Sequence, residues 1–458
     1  MNVFPIEPKF PIGEVGFKGT YKDDNGQDRP LDLLGRTDFG QRLTSLVDST
    51  SQPLVIALDG PWGSGKSHFL KLWAGAHGLE LKGQAEVIYF DAFEHDFLDD
   101  PLVSLVAKLA KDAPERGFTA NAMEKVKDAA GPLLRLGARI AVAVGTAGVS
   151  EMVGAVGDAA IGAIGKSAED NIDEFWKTET SRIAAMSEFR AALEALTKKE
   201  DGTTQKIVFI IDELDRCRPD YALQMLEIIK HFFTVPNVHF VLGANLSELE
   251  NSVKARYGAG INARKYLQKF VMLEMRLPYN RVSRDPSDTA VNLYLEGCKV
   301  FLALPKNVRQ DMNSFVSFLD QDTSLTIRDM QRIISVISLF PRSGQATMNG
   351  WRSVLVAIAF ISVLNPKVYK QIRSFEADFE EVESCLRLTK RSSHLQNVFW
   401  HYLGFLLLDT ETFIAKGADA QFREHAESLL SERFGIEPKD VLRREISICF
   451  DTFTLPDY

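Results

Sequence analysis

Short, largely apolar runs recur along the first two thirds of the chain, at 54–58, 87–90, 206–212 and 239–243, and Val271 to Leu277 is a fifth strand candidate. Between them lie longer stretches whose apolar residues return every three or four positions. The short runs have the length and Val/Ile content of strands buried on both faces, and the longer ones have helical periodicity. Phe39, Leu43 and Leu46 make one helical stripe within 32–47, and Phe69, Leu70, Leu72 and Trp73 make another directly after the first strand. Further helices are expected over 101–111, 172–196 and 222–233. Strands separated by helices predict an α/β fold with a parallel sheet flanked by helices. Beyond Pro278 only helical patterns occur, at 325–339, 354–363 and 398–408, the last two being almost wholly apolar and of core-helix length. The expected organisation is an irregular N-terminal arm over 1–30, an α/β core over 31–278, a helical lid over 279–345 and a helical C-terminal domain over 346–458.

One block breaks this alternation. Residues 131–165 consist almost entirely of Ala, Gly, Val, Ile and Leu, and they fall inside an insertion of the core at about 112–198. Gly154, Gly157, Gly162 and Gly165 make a small-residue face that would let two helices pack closely in lipid. The longest charge-free run, Ile140 to Ser150, is bounded by Arg139 and Glu151 and falls well short of the roughly 20 residues needed to span a bilayer. Asp158 interrupts the second half of the block, and such charges are costly in lipid. Membrane contact through this block and a packed or oligomer-forming helical pair both remain open, with the length arguing for the second.

The chain has 458 residues and a net charge of −9, too acidic for a protein that coats nucleic acid generally. Nucleic-acid binding is therefore not indicated, although a local basic patch is compatible with the composition. Cys217, Cys298, Cys385 and Cys449 show no paired metal-ligand spacing and read as reduced thiols. The first residues lack the basic-then-apolar pattern of a leader, so a cytoplasmic protein is expected.

Chemistry enters at the end of the first strand, where LVIALDGPWGSGKS runs from Leu54 to Ser67. Gly60, Pro61, Trp62, Gly63, Ser64, Gly65, Lys66 and Ser67 complete the G-x-x-x-x-G-K-[ST] spacing, and His68 continues into the helix. Glycines let backbone N–H groups curl around phosphate oxygens, and the next helix turns its positive end to the same anion. Lys66 would reach the β and γ phosphates, and Ser67 would hold Mg²⁺. A second strand ends in Asp212 and Glu213. At the C-terminal edge of a parallel sheet, Asp212 can serve the metal shell and Glu213 the attacking water; without the glycine loop, a helix-capping role would be the simpler reading. Asp91 and Glu94 come after a third strand and are either γ-phosphate-facing or caps. Asn245 ends a fourth and is either a γ-phosphate sensor or a cap.

These stretches together resemble the KAP family of P-loop NTPases, a branch of the additional-strand ATPase division. The resemblance runs through DLLGR at Asp32–Arg36, GPWGSGKS at Gly60–Ser67, YFDAFEHD at Tyr89–Asp96 and IIDELDRCRPDYALQMLEIIKHFF at Ile210–Phe233, and on to Pro278. It implies a Mg²⁺-dependent ATP hydrolase, with Arg36 in a segment lying over the adenine, and an arginine finger supplied by a neighbouring copy, for which Arg264 or Arg256 are candidates. Arg328 is a candidate γ-phosphate contact from the helical lid. The resemblance further implies a homo-oligomer and a protein effector or co-encoded partner, as in bacterial anti-phage defence systems. Two departures stand out: the insertion is short and charged, and the family's Asp-Arg after the fourth strand is replaced by Ala244, Asn245 and Leu246. A guanine-recognition motif is absent, the nearest string at 197–200 lacking its aspartate. The competing function is a nucleotide-gated scaffold that binds ATP and recruits an effector with little turnover; a phosphotransferase is disfavoured by Glu213.

Overall fold

A computed structural model of the chain describes residues 10–22, 28–98, 100–112, 118–119, 121–129, 184, 187–199, 201–232, 234–277, 291, 294–295, 306–319, 325–338, 340, 349–388, 393–430 and 437–451. The small-residue block at 131–165 and most of the expected helix at 172–196 lie outside the described residues.

Five strands form the central sheet: β3 (Val55–Asp59), β4 (Ala85–Asp91), β5 (Lys206–Asp212), β6 (Val238–Ala244) and β7 (Leu273–Arg276). Their order is β4-β5-β6-β3-β7, and every neighbouring pair is parallel. Parallel neighbours require crossovers, and helices supply them: α2 (Lys66–Leu79) after β3, α5 (Pro219–Phe232) after β5, and α6 (Leu246–Tyr257) with α7 (Ala263–Leu267) after β6. Two further helices come after β4, the short α3 (Ala92–His95) and α4 (Pro101–Asp112), and α1 (Thr37–Asp48) precedes β3. Thus β6 is inserted between the glycine-loop strand β3 and the acidic strand β5.

Alternate residues of each strand feed two cores, one on either face. Val55, Ala57, Phe209 and Phe240 pack with α4, α5 and α6, while Ile56, Leu58, Val208, Ile210 and Val241 pack with α1 and α2. Burial on both faces explains why β3, β4, β5 and β6 read as apolar runs, while the edge strand β7 is largely exposed and carries Glu274 and Arg276. The register sets Asp91 opposite Asp212, Asp212 opposite Gly243 and Asp59 opposite Ala244. All the chemistry-bearing strand ends therefore meet at one edge.

Ordered structure begins before Leu31. A two-stranded hairpin, β1 (Thr20–Lys22) and β2 (Asp28–Pro30), pairs antiparallel, and Phe17 and Leu31 are buried against α2. The Val15 carbonyl runs so close over Gly75 that a Cβ there would lie 2.2 Å from its oxygen.

The helical remainder shares one core. Helices α8 (Lys306–Leu319), α9 (Ile327–Ser338) and α10 (Asn349–Leu364) pack with later helices, including His394–Leu407, through Phe315, Ile333, Ile334, Phe360 and Phe399. The Phe315 ring lies 4.3 Å from Phe399 and 5.2 Å from Phe360, centroid to centroid. The described parts of 279–345 and 346–458 are thus joined by apolar packing across the boundary expected between lid and C-terminal domain. Among the described residues, no helix is long and apolar enough to cross a membrane.

Alanine in place of a mid-helix glycine ordinarily stabilises by about 1 kcal/mol. At Gly75 the Val15 carbonyl reverses the sign, because backbone must move to admit the methyl group. We expect Gly75→Ala to lose about 1 to 3 kcal/mol and to expose the N-terminal segment to limited proteolysis. A variant that unfolds at a higher temperature than the parent would refute this packing.

Candidate active site

The loop between β3 and α2 is shaped by two glycines in the left-handed region, Gly63 and Gly65, both at φ +83°. A Cβ at either is strained. At Gly63 it would also lie 2.5 Å from the Arg328 Cβ, and at Gly65 it would lie 2.9 Å from the Arg36 guanidinium. The loop is gripped from two sides. Arg36 donates to the carbonyls of Ser64 at 2.9 Å and Gly65 at 3.2 Å, and Thr326–Arg328 at the start of α9 packs on Gly63. That start is closed by a reciprocal cap, in which Asp329 accepts from the Thr326 N–H and hydroxyl and the Thr326 hydroxyl accepts from the Asp329 N–H.

Arg36 holds the loop carbonyls. Its burial lowers the guanidinium to about 10, with Asp32 opposing, so it stays charged at neutral pH. The Lys66 ammonium is bound by the loop's own carbonyls, Gly60 at 2.5 Å and Pro61 at 3.2 Å. Burial lowers its pKa against the pull of Asp215, Asp212 and Asp59. Trp62 donates from its indole to Asp215 at 2.5 Å, tying the loop tip to the turn after β5. His68 pairs with the Leu31 carbonyl at 2.8 Å and so fastens the N-terminal segment to α2.

Asp212 is fully buried at the end of β5. The Tyr89 hydroxyl donates to its Oδ2 at 2.7 Å and the Glu213 N–H to its Oδ1 at 2.9 Å. Burial nevertheless wins, raising the carboxyl to about 6. Gly243 on β6 makes room for it: a Cβ there would sit 2.3 Å from Asp212 Oδ1. Glu213 has φ 58°, unusual for a residue with a side chain, and caps a single 3-10 turn, Leu214–Arg216. This bend aims its carboxylate across to α2, where the Ser67 hydroxyl donates to Oε1 at 3.3 Å. The same oxygen is ion-paired with Arg216 at 2.9 Å. Burial raises the Glu213 carboxyl, with Arg216 opposing and Asp91 adding to the rise.

The structure therefore brings Lys66 and Ser67 at the start of α2 together with Asp212 and Glu213 at the end of β5. Asn245 and Asp91 act as helix caps. Asn245 accepts from the Ser247 N–H at 3.2 Å, and Asp91 from the Glu94 N–H at 3.1 Å. Arg264 is ion-paired within its own chain to Glu274 and, at 3.6 Å, to Glu250. Arg328 reaches the loop through its backbone and Cβ. Three participants escaped sequence reasoning: Tyr89, Gly243 and Arg216. Tyr89 and Gly243 reach Asp212 through strand register, and Arg216 reaches Glu213 through the turn that the bend at Glu213 opens.

An all-oxygen set of one buried carboxylate, a neighbouring carboxylate and a hydroxyl suits Mg²⁺, which keeps waters and takes phosphate oxygens rather than a full protein cage. Among the described residues, no cluster of three or more His, Cys, Asp and Glu residues able to hold a metal occurs.

Fold and site together define a P-loop NTPase with an added strand between its glycine-loop and acidic strands. The family model for the KAP family P-loop domain matches residues 37–343, well over half of the chain, and the chain belongs to this family. Nucleotide hydrolysis is the general chemistry that this membership supports. No curated protein matches the chain. Among solved structures it is similar to the Aeropyrum pernix ORC2 protein in ADPNP–ADP complexes, at 11% identity over 91% of this chain and 85% of that one; the TM-score is 0.25, and no argument rests on the likeness.

The raised Asp212 carboxyl has a thermodynamic consequence. Between its ordinary value of 3.8 and about 6, the folded chain holds a proton that the unfolded chain releases, so stability falls as pH rises through that window. Asp212→Asn lacks this loss. Without Mg²⁺, its stability relative to the parent should therefore improve by about 2 to 4 kcal/mol between pH 4 and pH 7.5, measured by denaturant unfolding. A difference that does not change with pH would contradict the burial argument.

Proposed function

We propose that this chain is a Mg²⁺-dependent ATP hydrolase whose nucleotide cycle is passed to its helical region and thence to a partner. The observation that carries the reading is the meeting of the Ser67 hydroxyl with the Glu213 carboxylate, beside buried Asp212, at the end of a P-loop. Lys66 neutralises the β and γ phosphates once it leaves the Gly60 and Pro61 carbonyls, a charge-assisted contact with phosphate being the stronger bond. Ser67 and Asp212 would hold Mg²⁺, which supplies charge neutralisation between the β and γ phosphates. Glu213 orients the attacking water and accepts its proton. ATP is favoured over GTP because no guanine-recognition motif occurs in the sequence.

The start of α9 rests on Gly63, so a change in the loop is felt by the helical core; Arg328 on that helix is the lid contact to the γ-phosphate in this reading. The partner is a second copy or a co-encoded protein effector, in the manner of the anti-phage defence systems that bacterial family members resemble. Unpaired Cys217, Cys385 and Cys449 accord with a cytoplasmic setting. One observation favours the alternative of a nucleotide-gated scaffold with little turnover: Glu213 is held by Arg216 rather than left to water.

Lys66→Ala should weaken ATP binding by about 100-fold or more, since the lost contact is charge-assisted; unchanged affinity in a calorimetric titration would remove Lys66 from the site. Glu213→Gln should retain ATP while turnover drops about 100-fold or more. If the Glu213→Gln chain retains the parent's turnover, Glu213 is not the water-activating group. If parent and variant turn over equally slowly and both still recruit a partner, the scaffold reading replaces the hydrolase.

A further inference from the structure

The turn after β5 is fastened at several points. Asp215 accepts from the Trp62 indole, the Cys217 thiol donates to the Glu213 carbonyl at 3.6 Å, and the Arg218 N–H donates to Asp96 at 3.0 Å. The Arg216 N–H donates to the Glu213 carbonyl at 3.1 Å, which closes the 3-10 turn and folds the Arg216 side chain back over Glu213. Its guanidinium meets the very carboxylate oxygen that also accepts from Ser67, the residue expected to stand beside the metal and the β and γ phosphates. The Arg216 charge is also felt at the Lys66 ammonium. The side chain is about one-third exposed, so it has room to turn within the site mouth.

Of the other arginines near this edge, Arg36 is buried on the loop carbonyls, Arg264 is committed to Glu274 and Glu250, Arg276 pairs with Asp59, and Arg328 meets Gly63 through its backbone and Cβ; Arg216 is the one paired with Glu213 among the described residues. We propose that Arg216 is a γ-phosphate ligand supplied by the chain's own acidic turn, pairing with Glu213 when the site holds no triphosphate and with the γ-phosphate when it does. This rests on the ATP hydrolase reading and adds to it the group that distinguishes triphosphate from diphosphate.

The exchange is dictated by chemistry. A guanidinium presents several donors in a plane and prefers the multiple acceptor oxygens of phosphate, which also brings more negative charge than a single carboxylate. A carboxylate held by that guanidinium is a poor acceptor for water. Once Arg216 moves to the γ-phosphate, Glu213 Oε1 is free to accept from the attacking water. The water oxygen then bonds to the γ phosphorus, the bond from that phosphorus to the β–γ bridging oxygen breaks, and the water's proton passes to Glu213. The products are ADP and inorganic phosphate, and Arg216 stabilises the charge gathered on the transferring group. With ADP in place the γ-phosphate is missing, and Arg216 returns to Glu213. The ion pair is thereby a built-in safeguard that keeps the base engaged until a triphosphate is present.

The test compares the full chain with Arg216→Ala, Arg216→Gln and Arg216→Lys. Affinities for Mg²⁺-bound adenylyl imidodiphosphate and for ADP are measured by calorimetry, together with turnover of ATP and thermal unfolding without nucleotide. Loss of the γ-phosphate ligand should weaken the triphosphate analogue about 10-fold or more while ADP affinity stays within about twofold, and should lower kcat by about 100-fold or more. Arg216→Lys should restore part of the triphosphate preference, and Arg216→Gln, which is polar but uncharged and shorter, should not. An unchanged ratio of the two affinities in a folded variant overturns the proposal. So does a rise in kcat for Arg216→Ala, which would mean that Arg216 only restrains Glu213. If all three variants lose folding, Arg216 belongs to the structure of the turn and the assignment is refuted. A parent chain that binds neither nucleotide removes the hydrolase reading itself, and this inference with it.

Discussion

A single carboxylate with no access to water organises the site. Asp212 ends a strand buried on both faces, and burying a charge is costly unless donors surround it. The Tyr89 hydroxyl from the neighbouring strand and the Glu213 N–H supply two donors, and Gly243 on the other side supplies space. Three adjacent strands are thus needed to accommodate one oxygen pair. The inserted strand β6 therefore matters chemically: it brings a glycine, with no Cβ, against Asp212 Oδ1. The remaining desolvation is unrelieved, which is why the carboxyl stays raised. In the proposed function a divalent cation would relieve this cost, since a bound cation favours the ionised carboxylate.

The same edge explains how a small site can communicate. The glycine loop is a backbone structure with little side-chain packing of its own, and it is held by Arg36 from behind, Trp62 at its tip and the capped start of α9 on Gly63. Helix α9 in turn contributes Ile333, Ile334 and Ile337 to the core that runs to Phe450. A loop that rearranges around phosphate must shift a contact to that core, and closely packed interiors transmit such shifts rather than absorb them. In the proposed function, coupling between nucleotide and the C-terminal region would run through this contact.

Much of this was readable from residue order. The apolar runs locate β3, β4, β5 and β6 because strands buried on both faces need no alternation, β7 is a weaker signal because it is largely exposed, and the spacing from Gly60 to Ser67 places the loop between β3 and α2. The N-terminal segment was less legible: its prolines and charges suggested an arm, yet Phe17 and Leu31 bury themselves on α2 through long-range contacts that no local pattern announces. The roles of single polar residues were least legible. Asn245 and Asp91 cap helices because each falls at a strand-to-helix turn where orphan N–H groups need acceptors. Arg36 enters the sequence reading only through the resemblance, and its hold on the Ser64 and Gly65 carbonyls is visible only in three dimensions. Tyr89 and Arg216 acquire meaning only once register and a left-handed bend at Glu213 bring them to the carboxylates.

The central claim is that a buried carboxylate and a glycine loop form one metal-dependent triphosphate site. The most direct measurement is a calorimetric titration of the intact chain with ATP, run once with Mg²⁺ and once with a chelator. The account predicts saturable binding of one nucleotide per chain that is at least about 10-fold tighter with the metal. Binding that is absent, or equally strong when the metal is removed, would contradict it.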